Sequence, residues 1–112
     1  MSKLSVLYVD DEPALLEIAS VYLERTGAFS VTTLNSAKIA LRELKAHPFD
    51  VIISDYQMPE MNGIAFLKAL RAGGNTTPFI IFTGRGREEV VIEAINSGAD
   101  FYLQKGGEPT AQ

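Results

Sequence analysis

The stretch Asp50-Val51-Ile52-Ile53-Ser54-Asp55 decides the fold. Val51, Ile52 and Ile53 are β-branched and adjacent, so the run is apolar on both faces of a strand rather than on alternate residues. A strand buried on both faces belongs to a parallel sheet covered by helices. Phe79-Ile80-Ile81-Phe82 has the same character and ends at Thr83. Leu4-Ser5-Val6-Leu7-Tyr8-Val9 is a third apolar run, and it ends in Asp10-Asp11-Glu12-Pro13.

Helical patterns separate these strands. After Pro13, which suits a first helical turn, Leu15, Ile18, Ala19 and Tyr22 recur at helical spacing. Gly27 supplies a left-handed stop. Phe29 to Leu34 alternates as a strand does. Ser36 is an expected N-cap, followed by a basic face (Lys38, Arg42, Lys45) and an apolar face (Ala40, Leu41, Leu44). His47-Pro48 ends that helix. Asn62 caps a third helix, in which Ile64 with Leu67 and Phe66 with Leu70 form stacked apolar pairs. Gly84-Arg85-Gly86-Arg87 reads as a loop. Glu88 and Glu89 open a fourth helix, where negative charge suits the dipole, and that helix is expected to run to Gly98. Phe101-Tyr102-Leu103-Gln104 is a fifth strand, ending at Lys105.

Five strands alternating with four helices give an α/β fold: a three-layer, open, doubly wound parallel sheet. The 112 residues suit a single domain. With 46% hydrophobic and 21% charged residues, the composition is that of a globular domain. There is no cysteine, which excludes disulfides and thiolate metal sites and fits a reducing compartment such as the cytoplasm. The net charge of −4 argues against a nucleic-acid footprint. No apolar run reaches the roughly 20 residues that span a bilayer, so no membrane association is expected.

Open α/β sheets bind ligands outside the carboxyl ends of their strands. Strand one ends in Asp10 and Asp11, strand three in Asp55, strand four in Thr83 and strand five in Lys105. Crowded carboxylates either hold a proton or bind a hard cation, and oxygen donors shared with a phosphate suit Mg²⁺. A cation, a lysine, a hydroxyl and a carboxylate nucleophile together make a phosphoryl-transfer set, with a mixed anhydride forming on Asp. Each residue alone has a bland explanation: caps for Asp10 and Asp11, a turn for Asp55, a strand end for Thr83, a solvated charge for Lys105. Their convergence on one edge is what carries weight. The single histidine, His47, reads as a surface residue, and no Gly-x-Ser-x-Gly or P-loop spacing exists.

Val9-Asp10-Asp11-Glu12, Ile53-Ser54-Asp55-Tyr56-Gln57-Met58-Pro59, Met61-Asn62-Gly63, Phe82-Thr83-Gly84 and Gly98-Ala99-Asp100-Phe101-Tyr102-Leu103-Gln104-Lys105 occur in order. In that order they resemble the receiver domain of two-component response regulators, over residues 3 to 107. The resemblance implies a flavodoxin-like sheet of order 2-1-3-4-5. It implies Asp55 as phosphoacceptor, and Mg²⁺ held by Asp10, Asp11, Asp55 and the Gln57 carbonyl. Lys105 would pair with the phosphoryl group, Thr83 would hydrogen-bond it, and Thr83 with Tyr102 would form the switch. Side chains at Gln57 and Arg85 would tune hydrolysis of the phosphoaspartate. The implied partners are a sensor histidine kinase and a downstream or fused signalling domain.

This chain departs from the family pattern in two places. Gly106 stands where the family has Pro after the lysine, and a trans bond or a mobile loop is expected there. The fifth helix of the family is missing, so residues 1–112 are read as one receiver domain cut from a longer protein. The uncovered flank of strands four and five is expected to cause self-association or low stability. The run from Phe82 to Val91 is similar to receivers of archaeal multidomain sensor proteins. Two other functions fit the same residues less well. An Mg²⁺-dependent aspartyl-phosphate phosphatase would carry a second Asp where Gln57 stands. A docking module without phosphorylation would have no need of the acidic set.

Overall fold

The computed structural model describes residues 3–84 and 88–104. The strands are β1 (Leu4–Val9), β2 (Phe29–Leu34), β3 (Val51–Asp55), β4 (Phe79–Thr83) and β5 (Phe101–Gln104). The helices are α1 (Pro13–Arg25), α2 (Ala37–Ala46), α3 (Gly63–Ala72) and α4 (Glu88–Asn96). All strand pairings are parallel, and the order is β2-β1-β3-β4-β5. Element order and strand order match the expectation.

The local signals act as read. Ser36 Oγ accepts from the Ile39 amide, and Asn62 Oδ1 accepts from the Ala65 amide at 2.8 Å, so both caps satisfy orphan N–H groups. Pro13 occupies the first turn of α1, and Gly27 adopts φ +79° just past its end. Helix α4 stops at Asn96, two residues short of Gly98, which instead turns the chain at φ +106°.

Right-handed crossovers put α1 on one face of this sheet and α2, α3 and α4 on the other. Burial agrees. One continuous core joins Leu7, Val9, Ile52, Phe79 and Ile81 to Ala40, Leu44, Phe66, Leu67, Leu70, Val90 and Ala94. No α1 residue belongs to it. Phe66 and Phe79 meet edge-on, with centroids 5.5 Å apart. This inner face fixes the strand ends that carry the acidic residues.

The outer face differs from expectation. The spacing of Leu15, Ile18, Ala19 and Tyr22 predicts a buried stripe, yet Leu16 is the buried residue of α1. Ile18 and Tyr22 are 64% and 69% exposed. Strand β5 is exposed along its length, in keeping with the uncovered flank expected of strands four and five. The cause is common to both. Helix α1 packs toward β2, and no described helix covers the outer side of β4 and β5, so neither apolar surface is covered among the described residues.

Candidate functional site

The site is set by strand register. Val9 lies opposite Ser54, so the residues that follow, Asp10 and Asp55, leave neighbouring strands at the same level. Asp55 in turn lies opposite Phe82, with Thr83 next. Asp10 is fully buried, Asp55 is 5% exposed and Thr83 1%. Asp11 is the open member of the cluster. Carboxylate oxygens of Asp10, Asp11 and Asp55 all lie within 4.8 Å of one another.

Short-range geometry holds these groups. Asp10 Oδ1 accepts the Glu12 amide at 3.0 Å, which ties the carboxylate to the turn that starts α1. The buried Ser54 hydroxyl donates to the Asp55 carbonyl at 2.9 Å. The Tyr56 amide donates to the Phe82 carbonyl and the Gly63 amide to the Tyr56 carbonyl, both at 2.7 Å. The loop after Asp55 therefore closes back on itself before α3 begins. A Cβ on Gly63 would collide with the Asp55 carbonyl oxygen and with Ile81. The Thr83 hydroxyl donates to the Gly84 carbonyl across 3.4 Å, a long and weak bond.

A cleft of about 500 Å³ opens above the cluster, lined by Asp11, Glu12, Asp55, Tyr56, Gln57, Met58, Pro59 and Gly84. Two carboxylates at 4.8 Å repel by about 3–4 kcal/mol at an effective dielectric of 20. The donors are all hard oxygens, so the set fits a small hard cation such as Mg²⁺ and not a thiolate-seeking metal.

The structure brings Asp10, Asp11 and Asp55 together, sets Thr83 one residue past the β4 partner of Asp55 and puts Gln57 on the cleft wall. Tyr102 lies on β5 opposite Ile81, on the inner face and one side-chain repeat below Thr83's partner Gln104. It is 39% exposed. Lys105, Gly106 and Arg85 lie outside the described residues.

Two contributors have no distinct signal in the sequence. Gly63 lies in the run Met61-Asn62-Gly63, but only the three-dimensional approach of Asp55 explains why it must lack a side chain. Tyr8 reads as one more strand residue. Burial first, and then the Asp10 and Asp55 carboxylates, hold its phenol well above the ordinary tyrosine range. Its ring meets Phe82 edge-on at 6.1 Å.

Comparison with known proteins fixes the family. The profile of the response regulator receiver domain matches residues 6–111. This chain belongs to the receiver domains of two-component response regulators. The receiver is 36% identical over 104 residues to the response regulator SaeR of Staphylococcus aureus, covering 93% of this chain and 45% of SaeR. It thus spans about half the length of the curated relatives it matches. The receiver domain of Francisella response regulator 1452 superposes with a TM-score of 0.88 at 33% identity, over 95% of this chain and 87% of that one. Chemotaxis response regulator CheY4 of Vibrio cholerae gives 0.86 at 33% identity, over 96% and 91%. The signal receiver domain of a Syntrophus aciditrophicus signal transduction histidine kinase gives 0.83 at 31%, over 94% and 80%.

Proposed function

We propose that this receiver is the phosphoacceptor switch of a two-component phosphorelay, loaded on Asp55. The observation that carries the reading is the acidic cluster of buried Asp10 and Asp55 with open Asp11, beside Thr83 at the carboxyl edge of the sheet. An Asp55 carboxylate oxygen attacks the phosphorus of a phosphohistidine on a sensor histidine kinase. The O–P bond forms as the P–N bond breaks, and the imidazole leaves and takes up a proton. Asp10, Asp11, Asp55 and the Gln57 carbonyl would hold Mg²⁺, which when bound neutralises the charge of the carboxylates and the phosphoryl oxygens. Lys105 pairs with the phosphoryl group. Thr83 exchanges its weak bond to Gly84 for one to a phosphoryl oxygen, and Tyr102 on the adjoining strand follows.

The switch is a population shift, because the phosphoryl group binds one arrangement of the Thr83 end better than the other. The chain turns over no separate substrate, since the modified group is its own. Its output is a changed surface offered to a downstream or fused signalling domain in the cytoplasm, and the open flank of β4 and β5 adds self-association. No helix among the described residues is long and apolar enough to cross a membrane.

Intact-protein mass after incubation with a small acyl phosphate tests the reading, with and without Mg²⁺ and beside Asp55→Asn. The expected result is a labile gain of one phosphoryl group that needs both Mg²⁺ and Asp55. No gain in folded protein would overturn it and favour a docking module.

A further inference from the structure

At the end of the sheet opposite the acidic cluster, Ser5 and Asp50 tie β1 to the start of β3, and one side chain gathers the approaches to β4 and β5. Arg71, in the last turn of α3, is 20% exposed, and its guanidinium is fully engaged. Nη1 donates to the carbonyls of Asn75 at 3.1 Å and Thr77 at 2.8 Å. Nε and Nη2 both donate to the Gly98 carbonyl, at 3.2 and 2.8 Å. Nη2 also reaches Asp100 Oδ2 at 3.3 Å. That same carboxylate oxygen accepts the Phe79 amide at 2.9 Å, and the Asp100 amide donates to the Phe79 carbonyl at 2.9 Å. One planar cation therefore joins the end of α3, the loop before β4, the first residue of β4 and the turn between α4 and β5. Gly98 is shaped to it: a Cβ there would stand 3.1 Å from Arg71 Nε, on a backbone already at φ +106°.

Helix α4, just before this turn, is held lightly. It buries only Val90 and Ala94, while Ile92 and Ile95 are 61% and 46% exposed. Its ion pair, Lys68–Glu93 at 3.2 Å, has both partners more than half exposed, and such pairs hold weakly. Thr83 sits at the other end of β4, about 13 Å from Phe79 at strand rise. The segment from Thr83 to Asp100 is thus bounded by the acidic site at one end and by the guanidinium at the other.

We infer that Arg71 is the fixed foot about which α4 and β5 rearrange when Asp55 is loaded. It acts as a positioning residue that confines the response to the Thr83 end. A fork of directed donors suits this task, because it fixes orientation where a point charge fixes only distance. The inference rests on the switch reading above.

Native-state hydrogen exchange tests it on wild type, Arg71→Lys and Arg71→Ala, with and without Mg²⁺ and beryllium fluoride, a tetrahedral phosphoryl mimic. Without the mimic, the Ala99 and Asp100 amides, bonded to the Ala94 and Phe79 carbonyls, should exchange about tenfold faster in Arg71→Ala, the scale of one lost charge-assisted bond. Arg71→Lys should fall between. With the mimic, wild type should change at the start of α4 and not over residues 97–100, while in Arg71→Ala the change should reach that foot. Thermal melts confirm that the variants are folded, and Arg71→Lys carries the test if Arg71→Ala is not. An Arg71 variant that matches wild type in both states overturns the inference alone, as does a wild-type response at residues 97–100. A wild type that ignores the mimic overturns the switch reading and the pivot with it.

Discussion

On the inner face of the sheet, Leu7, Val9, Ile52, Phe79 and Ile81 are fully buried beneath α2, α3 and α4. On the outer side, Ile18, Tyr22 and Phe101 are between 56% and 69% exposed. The residue types are the same on both faces, so hydrophobicity does not explain the difference. Coverage does. Three consecutive crossovers moving one way along the sheet stack three helices on one side, and among the described residues only the reversed β1-to-β2 crossover supplies a helix to the other. The carboxylate site sits at the edge where the two faces meet, with Asp10 tied to the turn that starts α1 and Gly63 of α3 set against the Asp55 carbonyl.

Truncating the inner face should have the largest effect. Phe66→Ala removes a fully buried ring packed against Phe79, and should lower unfolding stability by about 3–5 kcal/mol in denaturant titration. A loss under about 1 kcal/mol would mean that the inner face is no better packed than the outer. Tyr8 offers a sharper probe, because it is the outer-face residue closest in charge environment to the site. Its phenol is held protonated in the fold by burial and by Asp10 and Asp55. Below the ordinary tyrosine pKa of about 10, both folded and unfolded chains keep that proton and the contribution is complete. Above it, the unfolded chain ionises first, so stability declines by at most about 1.4 kcal/mol per pH unit. Tyr8→Phe should flatten that alkaline slope. An unchanged slope would place the cause elsewhere. The smallest effect belongs to the open surface. Ile18→Ser with Phe101→Ser should change stability by about 0.5 kcal/mol or less per site, while reducing any concentration-dependent growth in light scattering. A large destabilisation would show that these side chains are packed after all.

Much of the fold is legible in the residues themselves. Runs such as Val51 to Ile53 and Phe79 to Phe82 are too continuous for a half-exposed strand, and Ser36, Asn62 and Gly27 mark helix ends through local hydrogen bonding and backbone freedom. Asp10, Asp11, Asp55 and Thr83 were readable as one site because carboxyl ends of parallel strands share an edge whatever the details of packing. The α1 stripe misled for the opposite reason. Helical spacing tells which residues share a face, but not whether another element arrives to cover it. Leu16, off the expected stripe, is buried because the tilt of α1 toward β2 is set by packing.

The sequence alone determined the alternation of elements, the parallel sheet and the set of acidic and hydroxyl groups at strand ends, since these follow from local periodicity and chain connectivity. Tertiary structure alone decided the contact of Gly63 with the Asp55 carbonyl, the charged surroundings of Tyr8, the convergence of the loop before β4 and the turn before β5 on Arg71, and the exposure of Ile18 and Tyr22 on α1. Those depend on distances between residues far apart in the chain, which no local pattern encodes.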